Sequence, residues 1–90
     1  MRSDIKKKAL RRLKIVHGQV KGLASMIEDE KYCVDIITQS SAIKEALSGV
    51  EHLVLENHLS THVLEQIKSG REKKAVDEIL KVYKLAQKKK

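Results

Sequence analysis

Apolar residues recur along the first third of the chain at Ile5, Ala9, Leu13, Val16, Val20, Leu23 and Ile27, in steps of four and three. Such steps return to one side of an α-helix at every turn. They predict a helix over residues 4 to 29 with one apolar stripe, opened by Ser3 as a cap. Gly18 and Gly22 lie one turn apart within it, where missing side chains allow another helix to come close. The polar stretch Glu28-Asp29-Glu30-Lys31 interrupts the pattern and reads as a turn between antiparallel helices. The apolar pattern then resumes at Val34 and runs through Ile43, Val50, Leu59 and Val63 to Ile67 before the stop at Ser69-Gly70, which predicts a second helix over 33 to 68. Ala75, Val76, Ile79, Leu80, Tyr83 and Ala86 predict a third over 71 to 86. The pattern is that of an all-α, three-helix protomer in a single domain spanning 1–90, with a long central helix. The closing Lys88-Lys89-Lys90 reads as a solvated helix end.

The second helix is too long for a small monomer. At about 1.5 Å per residue, some 35 residues span roughly 50 Å. Its apolar positions also spread around more than one face, so it is expected to pack on its own chain along one side and on a second copy along another. Composition agrees with helices: there is no proline, phenylalanine or tryptophan, and only four glycines and two tyrosines. A chain of 90 residues buries little apolar surface alone, which again favours a homo-oligomer. No run approaches the roughly 18 apolar residues of a membrane span, and the N-terminus lacks a secretory leader pattern. The lone cysteine, Cys33, forms no disulfide within the chain. A cytoplasmic protein without a membrane partner is expected.

Charge adds a partner. Nineteen basic and twelve acidic side chains give a formal charge of +7, and the excess is concentrated. Between Arg2 and Lys14 stand seven cations, Arg2, Lys6, Lys7, Lys8, Arg11, Arg12 and Lys14, against the single acid Asp4. That imbalance exceeds what solubility requires and points to phosphate binding on DNA, with Lys21 further along the same helix. No helix-turn-helix signature, Cys/His finger or aromatic stacking platform is present, so DNA is expected to be gripped through phosphates and shape. No nucleophile-base pair or phosphate-cradling loop supports an enzyme, and no small-molecule substrate is implied.

His58 and His62 stand four apart, so both imidazoles project from one side of the second helix and could chelate one metal ion. Cys33 begins the same helix, where the positive end of the helix dipole favours the thiolate that metals bind. Cys33 lies 25 positions before His58, a separation of nearly 40 Å along one rod. Within one chain these groups cannot share an ion. A second copy running antiparallel would bring the Cys33 of one chain beside the two histidines of the other, with the two-fold axis near Ala46, Ser48 and Gly49, small enough for backbones to meet. One thiolate and two imidazoles suit a soft ion such as Cu(I), with zinc next and nickel or cobalt needing further ligands.

Taken together, Arg11-Arg12-Leu13-Lys14-Ile15-Val16-His17-Gly18-Gln19-Val20-Lys21-Gly22, Tyr32-Cys33, and Asn57-His58-Leu59 with His62 resemble the CsoR/RcnR family of metal- and stress-sensing repressors, copper sensors in particular. The resemblance implies a dimer whose four-helix core pairs antiparallel second helices, assembled as a dimer of dimers. It implies that the metal-free protein binds operator DNA and is released by Cu(I) bound between subunits at Cys33, His58 and His62, the last standing where most copper sensors carry a cysteine. Tyr32 and Glu78 fall where copper sensors place hydrogen-bond partners of the ligating histidine. The DNA-contacting set becomes Lys7, Lys8, Arg11, Arg12, Lys14, His17, Gln19 and Lys21. Nickel and cobalt sensors of the family use an additional N-terminal histidine, absent from residues 1 to 16; persulfide sensors need a second cysteine and formaldehyde sensors an N-terminal proline, also absent. The alternatives are a sensor of zinc, nickel, cobalt or formaldehyde, or an architectural DNA-binding protein that senses nothing.

Overall fold

The structure is a computed structural model that describes residues 1–87; the lysine tail at 88–90 lies outside the described residues. Four α-helices follow in order: α1 (Ser3–Glu28), α2 (Cys33–His58), α3 (Leu64–Lys68) and α4 (Glu72–Gln87), with a π-helical turn, Leu59–Val63, joining α2 to α3. Among the described residues there is no strand. Because α2, the π turn and α3 run on without a break, the chain forms three helical rods, an all-α fold.

Both inter-rod turns are closed by the same backbone device. At the end of α1, Glu30 N–H donates to the Ile27 carbonyl and Lys31 N–H to that of Met26; at the end of α3, Gly70 N–H donates to Ile67 and Arg71 N–H to Gln66. This is the Schellman arrangement, which needs a left-handed residue after the helix. Gly70 supplies it at φ 77°, and Glu30, a residue with a side chain, supplies it at φ 51°. The start of α1 departs from expectation. Ser3 lies inside the helix, and Arg2 occupies the cap position without a side-chain bond. The Arg2 N–H donates to Asn57 Oδ1 at 2.8 Å, so an amide on α2 takes up the N–H of the cap residue itself and ties the start of α1 to α2.

The described chain divides into two compact units, Met1–Asn57 and a second beginning at His58. In the first, α1 and α2 lie antiparallel. Ile5, Ala9 and Val16 of α1 and Ile43 and Val50 of α2 are buried, and the pairings run in opposite chain directions, Arg2 with Asn57 and Arg12 with Gly49. A methyl group on Gly49 would come within 3.3 Å of Arg12 Nη1, so within the chain its smallness leaves room for α1. Around a Cβ built on Gly18 or Gly22 nothing lies within 4 Å; the close approach expected there is not made inside this chain. In the second unit α3 packs on α4, with Val63, Gln66 and Ala75 buried.

Much apolar surface stays uncovered. On α2, Val34, Ile37, Leu47 and Val54 are 40–64% exposed, and on α4, Val76, Ile79, Leu80, Tyr83 and Leu85 are 37–60% exposed. Single exposed apolar residues are ordinary, but rows of them along two helices mark surfaces made to be covered.

Candidate metal centre

Cys33 is the first residue of α2 and its thiol is exposed and free. Tyr32 precedes it, accepting the N–H groups of Asp35 and Ile36 on its carbonyl while its ring stands 71% exposed. His58 closes α2 and His62 lies in the π turn that follows. Their rings are 5.4 Å apart between centroids and tilted by 31°, so the two imidazoles form the pair expected of a chelating unit.

His58 is held from outside the pair. Its Nε2–H donates to Glu78 Oε2 at 2.9 Å, across from α2 to α4. An ionised carboxylate only accepts, so Nε2 carries the proton of this bond and Nδ1 is the nitrogen turned away from Glu78. Glu78 receives a second, longer approach from Gln66 Nε2, 3.4 Å from Oε2 and 3.5 Å from Oε1. Glu78, half-buried, thus links the end of α2 to α4.

Among the described residues, no group of three or more His, Cys, Asp or Glu side chains within the chain could hold a metal ion. Cys33 opens and His58 closes the same helix of 26 residues, about 38 Å apart at 1.5 Å per residue. The chain brings together His58, His62 and Glu78 and leaves Cys33 apart. Two imidazoles and, apart from them, an exposed thiol are the ligand types that suit a soft ion.

The cationic residues lie along α1. Lys7, Lys8, Arg11, Arg12, Lys14, His17 and Lys21 are exposed, and Gln19 is half-buried. Arg2 donates to Asp4 at 2.9 Å, and this bond is the main reason the Asp4 carboxyl is held below its ordinary value; the one acid of the segment is thereby spent on a neighbouring cation. Arg12 and Gln19 also face α2. Together with Ile15, Glu45, Ala46 and Gly49 they line a groove of about 310 Å³ between α1 and α2, and Gln19 Oε1 is buried without a hydrogen-bond partner. Two residues of the DNA set thus rest against α2 as well as lying on α1.

Sequence reasoning assigned no role to Asn57 or Gln66. Asn57 is 3% exposed and Gln66 is 7% exposed, and each touches a residue that matters: Asn57 the start of the cationic helix, Gln66 the partner of His58. Polar side chains read as outward-facing, so the one available signal was Asn57 standing inside the Asn57-His58-Leu59 motif.

Comparison with known proteins agrees with these observations. Residues 5–84 match the family described as metal-sensitive transcriptional repressor. The copper-sensing transcriptional repressor CsoR of Bacillus subtilis (strain 168) is 44% identical over 73 residues, covering 81% of this chain and 72% of that protein. Its counterpart in Mycobacterium ulcerans (strain Agy99) is 37% identical over 82 residues, 91% of this chain and 70% of that one. Among solved structures, the copper-sensing repressor CsoR with Cu(I) from Geobacillus thermodenitrificans NG80-2 superposes with a TM-score of 0.88 at 34% identity, over 97% of this chain and 91% of that chain. The chain belongs to the family of metal-sensitive transcriptional repressors.

Proposed function

We propose that this protein represses transcription by binding operator DNA in its metal-free form and releases the DNA on binding Cu(I). It is a regulator and not an enzyme. The ion is held between subunits, by Cys33 of one protomer and His58 and His62 of another. Bound there, Cu(I) supplies a soft cation that a thiolate and imidazoles both ligate well. The observation that carries the reading is the His58–His62 pair at 5.4 Å with His58 tied to Glu78, since it presents two nitrogen ligands and connects one of them to another helix.

The protein's own groups do the rest. Glu78 holds the His58 ring in one tautomer and one orientation, so that Nδ1 is presented as a ligand. Through the same bond any change in the ring's position is passed to α4. Lys7, Lys8, Arg11, Arg12, Lys14, His17, Gln19 and Lys21 form the face for operator DNA, where phosphate neutralisation supplies most of the affinity. Tyr32, placed next to Cys33, is the further candidate for linking thiol and histidine across the subunit boundary. The protomers are expected to pair through antiparallel α2 helices, two dimers forming the tetramer, and to act in the cytoplasm.

The test is a titration of the reduced protein, bound to a DNA fragment selected from a random pool, with Cu(I), Zn(II), Ni(II) and Co(II) in parallel, followed by fluorescence anisotropy. Cu(I) is expected to release the DNA at one ion per protomer, and Cys33→Ala to abolish that release while the metal-free protein still binds. Undiminished DNA affinity with Cu(I) bound rejects the copper reading; release by zinc alone moves the assignment to zinc.

A further inference from the structure

Gln66 is a polar side chain that the fold buries. It is 7% exposed, its Oε1 is buried with no hydrogen-bond partner, and its Nε2 faces both oxygens of Glu78 at 3.4 and 3.5 Å. The reverse orientation of the amide would set its oxygen against the carboxylate, so the amide must turn its nitrogen to Glu78 and leave its oxygen orphaned. An orphaned buried carbonyl is unfavourable. A methionine or leucine would fill this position without it, so packing does not account for a glutamine here.

The helix geometry explains how Gln66 reaches Glu78. In an unbroken α-helix each residue advances about 100°, which sets residues eight apart roughly 80° from one another. The π turn at Leu59–Val63 lies between His58 and Gln66, and its i→i+5 bonding takes up one extra residue. Eight residues then behave as about seven α-helical steps, and the two side chains fall within roughly 20° of a common face. His58 and Gln66 both direct N–H donors at one carboxylate on α4 because of that turn. His58 holds its oxygen at 2.9 Å; the amide approaches both oxygens from further away and favours the carboxylate orientation that keeps both in reach.

We infer that Gln66 is a positioning residue for the metal response: it orients the Glu78 carboxylate so that Oε2 meets the Nε2–H of His58. This deepens the proposed function and rests on it. Without the amide, Glu78 keeps its place in the sequence but is free to rotate away, so the His58 ring loses its fixed tautomer and α4 loses part of its link to the metal-binding helix end.

Gln66→Met keeps the length and burial of the side chain and removes the donor, and Gln66→Asn keeps the amide but withdraws it by one methylene. Both are compared with the wild-type protein. The first readout needs no metal: the nitrogen chemical shifts of the His58 imidazole at neutral pH, by NMR. The wild type should show one dominant tautomer with the proton on Nε2, and both variants a shift toward the mixture of a free imidazole. The second is the Cu(I) titration of the DNA complex, where the variants should need about threefold to tenfold more free ion for half release, below the ten- to hundredfold typical of losing a direct partner of a metal-bound histidine. Metal-free DNA affinity and helical circular dichroism should match the wild type. Tautomer populations identical to the wild type in either folded variant overturn the inference. A wild type that Cu(I) does not release defeats the proposed function instead, and the imidazole shifts still decide the role of Gln66. A Gln66→Met protein that fails to fold also overturns it, since that would make the residue a packing element.

Discussion

Asn57 is an amide enclosed in the contact between α1 and α2, and what it accepts is the backbone N–H of Arg2 at 2.8 Å. Removing the acceptor takes from that N–H, at the mouth of α1, the partner that the almost fully buried Asn57 supplies. Asn57→Ala is therefore expected to lower stability by about 1–3 kcal/mol, read from guanidinium unfolding at fixed protein concentration; a midpoint unchanged from the wild type would show that the bond carries nothing. Glu78 acts on function more than on stability. Glu78→Gln retains an acceptor oxygen but removes the charge that strengthens the bond from His58 Nε2–H. Cu(I) affinity is expected to fall about tenfold while metal-free DNA binding persists, measured by competition with a Cu(I) chelator and by anisotropy. Equal ion affinity in the two proteins would detach Glu78 from the metal centre.

At the scale of the helices, the turn after α1 carries a cost that the turn after α3 avoids. Glu30 stands at φ 51° where Gly70 stands at φ 77°, and a left-handed conformation costs a residue with a side chain about 1–2 kcal/mol. Glu30→Gly is expected to raise the thermal midpoint by a few degrees without altering DNA or metal binding; a lower midpoint would mean that the glutamate side chain compensates for its backbone. The same elements show how far the sequence could be read. The rods were legible because apolar steps of three and four and the Ser69-Gly70 stop are written in residue types. The π turn was not, because Leu59, Ser60, Thr61, His62 and Val63 are residues that serve equally in an α-helical turn, and only the tertiary fit of α3 to α4 selects the wider one. The pairing of His58 with His62 was legible in their spacing, and the placing of Glu78 beside His58 in the resemblance. Asn57 and Gln66 were missed because burial of an amide depends on a partner from another part of the chain, which local pattern does not contain. At Gly49 the small size was visible, and for the same reason the Arg12 side chain that lies beside it was not.

At the scale of the whole protein, the uncovered apolar rows on α2 and α4 and the separation of Cys33 from His58 call for the same remedy. A second protomer would cover Ile37, Leu47 and Val54 of α2 and, running antiparallel, deliver its thiol to the histidine pair. This makes a prediction that a self-sufficient site cannot imitate. Cys33→Ala and His58→Ala should each abolish tight Cu(I) binding alone. In a mixed dimer, however, the Cys33→Ala protomer still offers His58 and His62, and the His58→Ala protomer still offers Cys33. One of the two sites is then whole and the other lacks both contributions. Mixing the two inactive proteins in equal amounts, unfolding and refolding them together, should therefore restore binding to about one quarter of an ion per protomer, because random pairing makes half of the dimers mixed and each mixed dimer holds one intact site. Recovery of Cu(I) binding in the mixture, absent from either variant refolded alone, is the expected result. No recovery, with sedimentation showing that the protomers had paired, would place the thiol and the imidazoles in separate sites and remove the intersubunit centre from the account.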